Sequence, residues 1–531
     1  MNNRKNILKT VAFLLIGTLM FGTLNSFFQR DWNAEALAIY DEPRNTIETL
    51  FIGSSMTEFG IDVMTLYEEY GICAYNLGNS GQPVSQSYYW LQEAYKYQSE
   101  SLKTVVFDVS IMKSDLREEY YRTATENMQL SPLKYEAVSS YADDLNQTIS
   151  YMFPTFSYHT RWDSITSADF GVATSMLYTW TRGQCVSTDT PFQTLSAEEL
   201  IVWDYTLDEK AETYELDPEG IEYFEKMLAF CKANSLELIL IKTPNPLTWN
   251  SSDHNTFTEF ASEYDVEFLD FNFAPLIQEI DYDCMFDSMD GIHLNYYGAQ
   301  KFASWFGNYL IENDYAHDIR GEEKYAFLEE DLAEHKEKVE SVILLRECMD
   351  PVDYLSLASE KENYVIFITV KADATSALTD EQREGFANLG LSNLAELSDD
   401  EPYIAVIENG KIVYEKSNVS DGKKLSYKGE MDNGLLYSLV SGGTESGDTS
   451  SCKIEGSQYS REKNGLNIVV YDKERLTVVD RAVFDTGVSS EREVPVWHVL
   501  EEELKNLPEG EAVPENLKKY VVYLEMLEGE K

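Results

Sequence analysis

Apolar residues run without a charge from Val11 to Phe28, directly after Arg4, Lys5 and Lys9. Such a run is about long enough to span a thin bilayer core. Its basic flank predicts that the rest of the chain lies outside the cytoplasm. No small-residue cleavage site follows, and no cysteine stands near to take a lipid. An uncleaved signal anchor over residues 1–30 is therefore expected, with a cleaved signal peptide as the alternative. Residues 31–44 read as a polar stalk. From Thr46 the pattern changes to short apolar runs separated by helical periodicity. Thr49–Ile52, Ala74–Leu77, Thr104–Val109, Leu236–Ile241 and Glu267–Phe271 read as buried strands. Asp62–Tyr70, Ser85–Tyr97, Gly220–Asn234, His254–Tyr264 and Tyr296–Ile311 read as helices. This alternation predicts an α/β, doubly wound parallel sheet with its ligands beyond the carboxyl ends of the strands.

Residues 111–215 are too long for one crossover and are rich in Tyr, Trp and Ser. They predict a mostly helical insertion in a domain spanning 31–320. A charged helical stretch, Glu322 to Glu340, lies in a linker of residues 321–350. The texture then becomes β-rich. Tyr364–Val370, Tyr403–Glu408, Lys411–Glu415, Leu435–Val440 and Leu466–Tyr471 read as strands. Asn409-Gly410 marks a two-residue hairpin turn. Thr379 with Gln382 three residues on marks the start of one helix. Ser441 to Ser451 reads as a loop. A C-terminal α+β domain over 351–490 and an acidic, Pro-broken tail over 491–531 are expected.

Composition narrows the functional classes. The 531 residues include 42 basic and 93 acidic side chains, a formal charge of −51. That charge excludes a nucleic-acid binder, which needs a basic footprint. Six scattered cysteines without a C-x-x-C pair argue against a zinc module or disulfide scaffold. Asp281, Asp283, Asp287 and Asp290 lack EF-hand spacing, and no metal is expected.

Three segments carry candidate chemistry. Gly53-Ser54-Ser55 ends the first strand and opens a helix, where backbone N–H groups favour developing negative charge. Serine there serves as a nucleophile if a base is near, or simply caps the helix. Asp290 and His293 stand three residues apart, close enough for the carboxylate to orient the imidazole. A solvated loop histidine would look the same. In Asn76–Gln82, Gly81 lets backbone N–H groups approach a reacting carbonyl, or merely makes a turn.

In this order, the three segments resemble the SGNH/GDSL hydrolase family. The resemblance covers about residues 46–313 and implies a flavodoxin-like three-layer domain. It places Ser55 as nucleophile, Asp290 and His293 as its relay, and Gly81 with the Ser55 turn as oxyanion donors. One block departs: where Gly-x-Asn-Asp is expected, the chain reads Asp108-Val109-Ser110-Ile111-Met112. Asn79, Ser110, Asn245 and Arg161 are alternatives for the missing donor. The chain also looks like the membrane-anchored branch with alginate O-acetyltransferase-like and D-alanyl-lipoteichoic acid-type proteins. That likeness implies a cofactor-free serine esterase or O-acyltransferase at the extracytoplasmic face of the cell membrane, acting on acyl groups of envelope polysaccharide. A transferase would take its acyl donor from a multi-pass membrane acyltransferase.

In the insertion, Tyr158-His159-Thr160-Arg161-Trp162 could hold substrate, with His159 and Arg161 as candidate contacts: aromatics stack on sugars, and Arg161 holds a carboxylate or phosphate. A packed lid is the alternative. Asn79 and Asn245 are further candidate substrate contacts. Tyr364–Ala372, Ala377–Thr379, Leu389–Leu391, Tyr403–Ile407, Gly465–Val470 and Val483–Thr486 resemble the interleukin-like EMT inducer (PANDER-like) domain. That likeness implies an accessory, carbohydrate-binding module without a catalytic set. A catalytically weak glycan-binding or structural cell-surface protein is the alternative for the whole chain.

Overall fold

Thr49–Gly53 (β1), Ala74–Gly78 (β2) and Thr104–Asp108 (β3) are buried at every position. Their near-continuous apolar sequences follow from burial on both faces of one sheet. The computed structural model describes residues 2–28, 34–113, 118–160, 180–186, 188–195, 205–399, 401–417, 423–489, 491–492 and short stretches between 503 and 521. With Glu237–Lys242 (β4) and Glu267–Asp270 (β5), the three strands form a parallel sheet in the order β2-β1-β3-β4-β5. Gly53 lies opposite Gly78, Asp108 opposite Ile241, and Lys242 opposite Asp270. The strand exits are thus level along one edge, where the connecting loops gather.

Helices cover both faces of the sheet. Val84–Gln98, Pro218–Ala233 and Ser251–Tyr264 pack on one core around Trp90, Phe224 and Phe257. Val63–Tyr70 and Tyr296–Glu312 pack on the other around Leu66, Phe302 and Phe306. The helix expected from His254 begins three residues earlier. Asn250 and Asp253 form a reciprocal capping box that starts it at Ser251. The linker helix is also displaced, running from Phe327 to Arg346.

The insertion is helical over Glu118–Glu126, Pro132–Ser139, Leu145–Met152 and Pro154–Ser157. Further along the insertion, Trp180–Thr181 and Gln184–Cys185 pair antiparallel as a short hairpin. Its Ala124 carbonyl accepts from the Trp90 indole at 2.7 Å. Arg161, Trp162 and Trp203 lie outside the described residues.

The C-terminal part is a mixed nine-stranded sheet with helices at Pro351–Ser359 and Asp380–Asn388. Tyr364–Lys371 pairs antiparallel with Tyr403–Glu408 on one side and Gly465–Asp472 on the other. Asn409 and Gly410 both take positive φ, 54° and 64°, in the hairpin to Lys411–Ser417. The expected loop over Ser441–Ser451 is shorter, residues 443–448, because its two ends belong to strands: Leu436–Gly442 pairs with Thr449–Ile454. Leu425–Glu430 and Thr477–Phe484 are further strands.

The two parts share a core. Val186 and Phe192 of the insertion and Tyr296 pack with Val342, Leu345, Tyr354, Ile368 and Phe484. Before all of this, Asn2–Phe28 (α1) forms one helix whose stretch Lys5–Asn25 is long and apolar enough to cross a membrane.

Candidate active site

Ser55 is the first residue of a six-residue helix, Ser55–Gly60 (α2), that begins where β1 leaves the sheet. Ser54 occupies the preceding position but makes no side-chain cap. The capping use of these serines is therefore not the one adopted. The Thr57 and Glu58 N–H groups donate to the Ser54 carbonyl at 3.0 and 3.1 Å, and the N–H groups of Ser55 and Met56 ahead of them have no partner within the helix.

α2 is held from its far end by β2. The Asn76 amide donates to the carbonyls of Thr57 at 2.9 Å and Ile61 at 3.3 Å, while its Oδ1 accepts from the Gly78 N–H at 2.9 Å. Gly78 must be glycine for this fit, since a Cβ there would stand 2.2 Å from the backbone nitrogen of Glu58. Gln82 pins the neighbouring turn, donating to the carbonyls of Gly53 at 3.2 Å and Leu77 at 3.1 Å.

His293 comes from a tight loop just before the helix Tyr296–Glu312. Ser288 and Leu294 bridge across its base, and the Ser288 hydroxyl donates to the His293 carbonyl and accepts from the Gly291 N–H. Asn295 caps the helix and donates to the carbonyls of Gln193 and Phe286. The loop thereby presents the imidazole to α2. His293 Nε2 stands 2.8 Å from Ser55 Oγ, and His293 Nδ1 stands 2.8 Å from Asp290 Oδ2. The Phe59 ring meets the imidazole edge-on at 5.7 Å.

The chemistry fixes the direction of these bonds. Burial pushes the Asp290 carboxyl up, but hydrogen bonds from the His293 ring and from the backbone N–H groups of His293 and Ile292 hold it below its ordinary value. An ionised carboxylate only accepts, so Nδ1 carries the proton. Nε2 is then the acceptor for the Ser55 hydroxyl. Hydroxyl, imidazole and carboxylate form one continuous proton path.

Glu58, one turn beyond Ser55 on α2, is a site residue that spacing alone did not reveal. Its Oε2 accepts from the Ser80 hydroxyl at 2.6 Å. Burial raises its pKa from 4.5 to about 7, against the Ser80 hydrogen bonds and the charge of His293. Its only signal in the sequence is the offset of three from Ser55, which places the two on one helix face.

The Asn79–Gly81 loop lies against α2. The Asn79 N–H donates to the Gly53 carbonyl at 3.2 Å. Gly81 takes φ +70°, and a Cβ on it would stand 2.3 Å from the Tyr120 ring. In the departing third block, Asp108 is a buried brace. Its Oδ1 accepts from the Ser110 N–H and hydroxyl, and its Oδ2 from the Thr243 N–H and hydroxyl, both at 3.2 Å. Ser110 is thus engaged with Asp108. Asn245 is buried beside Met56, the neighbour of Ser55: its Oδ1 accepts from Thr248 N–H, and its amide lies 3.8 Å from the Met56 sulfur. His159 is exposed, its Nδ1 2.7 Å from the Phe156 carbonyl, and the structure does not bring it to the relay. Arg161 lies outside the described residues. The acidic run has separate uses: Asp283 caps a short helix, Asp287 pairs with Lys301 at 2.8 Å, and Asp290 serves His293.

No family model matches the chain, and no curated protein matches it. Among solved structures, one similar chain is a Bacteroides fragilis protein assigned as an acylhydrolase. It is 12% identical, with a TM-score of 0.25, over 52% of this chain and 94% of that one. A likeness that weak adds nothing to the geometry of the relay.

Proposed function

We propose that this chain is a serine acyl hydrolase or O-acyltransferase of the SGNH type, held by α1 at the outer face of a cell membrane and acting on acyl groups of envelope polysaccharide. The observation that supports the chemistry is the unbroken Ser55–His293–Asp290 relay, with both contacts at 2.8 Å. Ser55 Oγ attacks the acyl carbonyl as Nε2 takes its proton, and Asp290 steadies the imidazolium. Nε2 then returns the proton to the leaving alcohol, giving an acyl-serine. Water as the second nucleophile completes hydrolysis; a sugar hydroxyl completes transfer. Gly81 and the first turn of α2 are the proposed oxyanion donors, each worth about 3 kcal/mol in systems of this kind. In the transferase mode, a multi-pass membrane acyltransferase would supply the acyl donor.

A fluorophosphonate probe tests the nucleophile. The expected result is labelling of the intact protein that vanishes in Ser55→Ala and falls sharply in His293→Ala. Labelling that persists in Ser55→Ala would remove the relay from the mechanism. Acetyl transfer to an added oligosaccharide, in competition with water, separates the two modes. The brace at Asp108 favours a second reading. It stands where the resemblance expects an oxyanion amide, as in a weakly catalytic glycan-binding protein. Silence toward the probe with retained polysaccharide binding would favour that reading.

A further inference from the structure

We infer that the insertion carries a second membrane contact: the face of Leu145–Met152 and Pro154–Ser157 rests on the outer leaflet of the bilayer that α1 crosses. The inference relies on the anchor reading of α1, and its test separates the two.

The contact begins at α1 itself. The Phe21 ring packs edge-on against Phe153 at 5.3 Å and beside Phe156 at 5.8 Å. The Asn25 side-chain oxygen accepts from the Thr155 N–H and hydroxyl, each at 3.3 Å. A helix of the 21 residues Lys5–Asn25 is about 31 Å long at about 1.5 Å per residue, the thickness of a bilayer's hydrocarbon core. Phe21 and Asn25 therefore stand at its outer boundary, and Phe153, Thr155 and Phe156 stand at the same depth.

The adjoining helix has the character such a depth demands. Thr148 and Met152 of Leu145–Met152 are buried against the protein. Leu145 and Ile149 share another face, one turn apart, and are 62% and 43% exposed. Phe156 is also exposed on its outer side. Two large aliphatic side chains and a phenyl ring in water, next to a helix of membrane-crossing length, form one apolar surface continuous with it. The flank is aromatic with polar tips, as interfacial segments are: Tyr151 hydrogen-bonds Glu118, and Tyr158 hydrogen-bonds Glu126. Asp143 and Asp144 precede the helix, so the matching lipid headgroup is zwitterionic rather than anionic. The consequence reaches the relay. Tyr120, on the first insertion helix Glu118–Glu126, closes over Gly81. That helix is tied to the proposed docking face by Tyr151–Glu118 and Tyr158–Glu126, so the insertion that borders Gly81 is the one resting on the lipid, which directs the site toward acyl groups carried near the membrane surface.

The test uses the full chain in zwitterionic phosphatidylcholine vesicles, with an environment-sensitive fluorophore on a cysteine at one position per sample. Leu145→Cys and Ile149→Cys report the face, Leu14→Cys the anchor, and Val413→Cys an exposed site on the second sheet; the parent chain gives the background from its own cysteines. Nitroxide-labelled lipid should quench positions 14, 145 and 149 and leave 413 bright. Quenching at 14 alone keeps the anchor and overturns the docking face. Loss of quenching at 14 removes the anchor reading and the inference with it. Shielding of 145 and 149 from an aqueous quencher without lipid quenching identifies a protein occupant and also overturns it. Quenching at 413 as well reveals general adsorption and counts against a specific face.

Discussion

Two carboxylates of the site behave in opposite ways. Asp290 is kept ionised by hydrogen bonds although its side chain is 45% exposed. Glu58 is buried enough to hold its proton up to about pH 7. Above that pH its charge favours the imidazolium; below it, the charge is gone. Glu58→Gln should therefore move the acid limb of the kcat/KM profile to lower pH while leaving the plateau activity measurable. An unmoved limb would separate Glu58 from the electrostatics of His293. The same shift has a stability sign. Between pH 4.5 and 7 the folded state keeps a proton that the unfolded chain has released, so this group's contribution falls as pH rises through that window. Glu58→Gln should flatten that stretch of a denaturation-midpoint curve and match the parent below it. Asp290 and His293 were legible in the sequence because their partnership is local, three residues apart. Glu58 was not, because its partner Ser80 comes from the loop after a different strand.

At the scale of elements, the short helix α2 is the weak part of the site. Six residues without a side-chain cap have little intrinsic stability. Asn76 supplies from β2 what the helix lacks, satisfying the Thr57 carbonyl within it and the Ile61 carbonyl just past its end and tying both to Gly78. Asn76→Ala leaves those buried groups unpaired and should cost about 2 kcal/mol or more. The probe's labelling rate at Ser55, measured well below the unfolding transition, should drop as well. A fall in stability with an unchanged labelling rate would make Asn76 a brace of the sheet and not of the nucleophile. An asparagine in an otherwise apolar strand was visible in the sequence, but the helix it serves was not assignable from spacing. Strand legibility followed burial in the same way. β1 to β3, buried on both faces, stand out as apolar runs. Leu425–Glu430 carries Lys428, Gly429 and Glu430 and alternates between buried and open positions, so its pattern is diluted. Thr449–Ile454 is hidden in a Gly/Ser/Thr run because its identity as a strand comes from pairing with Leu436–Gly442.

Across the whole molecule, the C-terminal sheet contributes no residue to the relay but supports the loop that carries it. Asp189, almost wholly buried in the insertion, pairs with Arg481 at 2.9 Å and Arg461 at 3.3 Å, both from the C-terminal sheet region. Three residues on, the Phe192 ring packs at a tilt against Tyr296, centroids 4.8 Å apart, and Tyr296 begins the helix after the His293 loop. Gln193 then accepts from Asn295, the cap of that same helix. The path from the second sheet to His293 is thus three short steps through packed groups. Neither part would bury its share of this core alone, so full-length unfolding should be one cooperative transition. Phe192→Ala should lower its free energy by about 3–5 kcal/mol through the cavity it leaves. Asp189→Asn should lower it by a similar amount by leaving the two guanidinium groups without their carboxylate. Because both changes act upstream of Tyr296, each should also slow Ser55 labelling at temperatures where the chain stays folded. Calorimetry showing two separate transitions, only one of them moved by Phe192→Ala, would mean that the parts fold independently. Labelling at the parent rate in both variants would mean that the second sheet does not position His293.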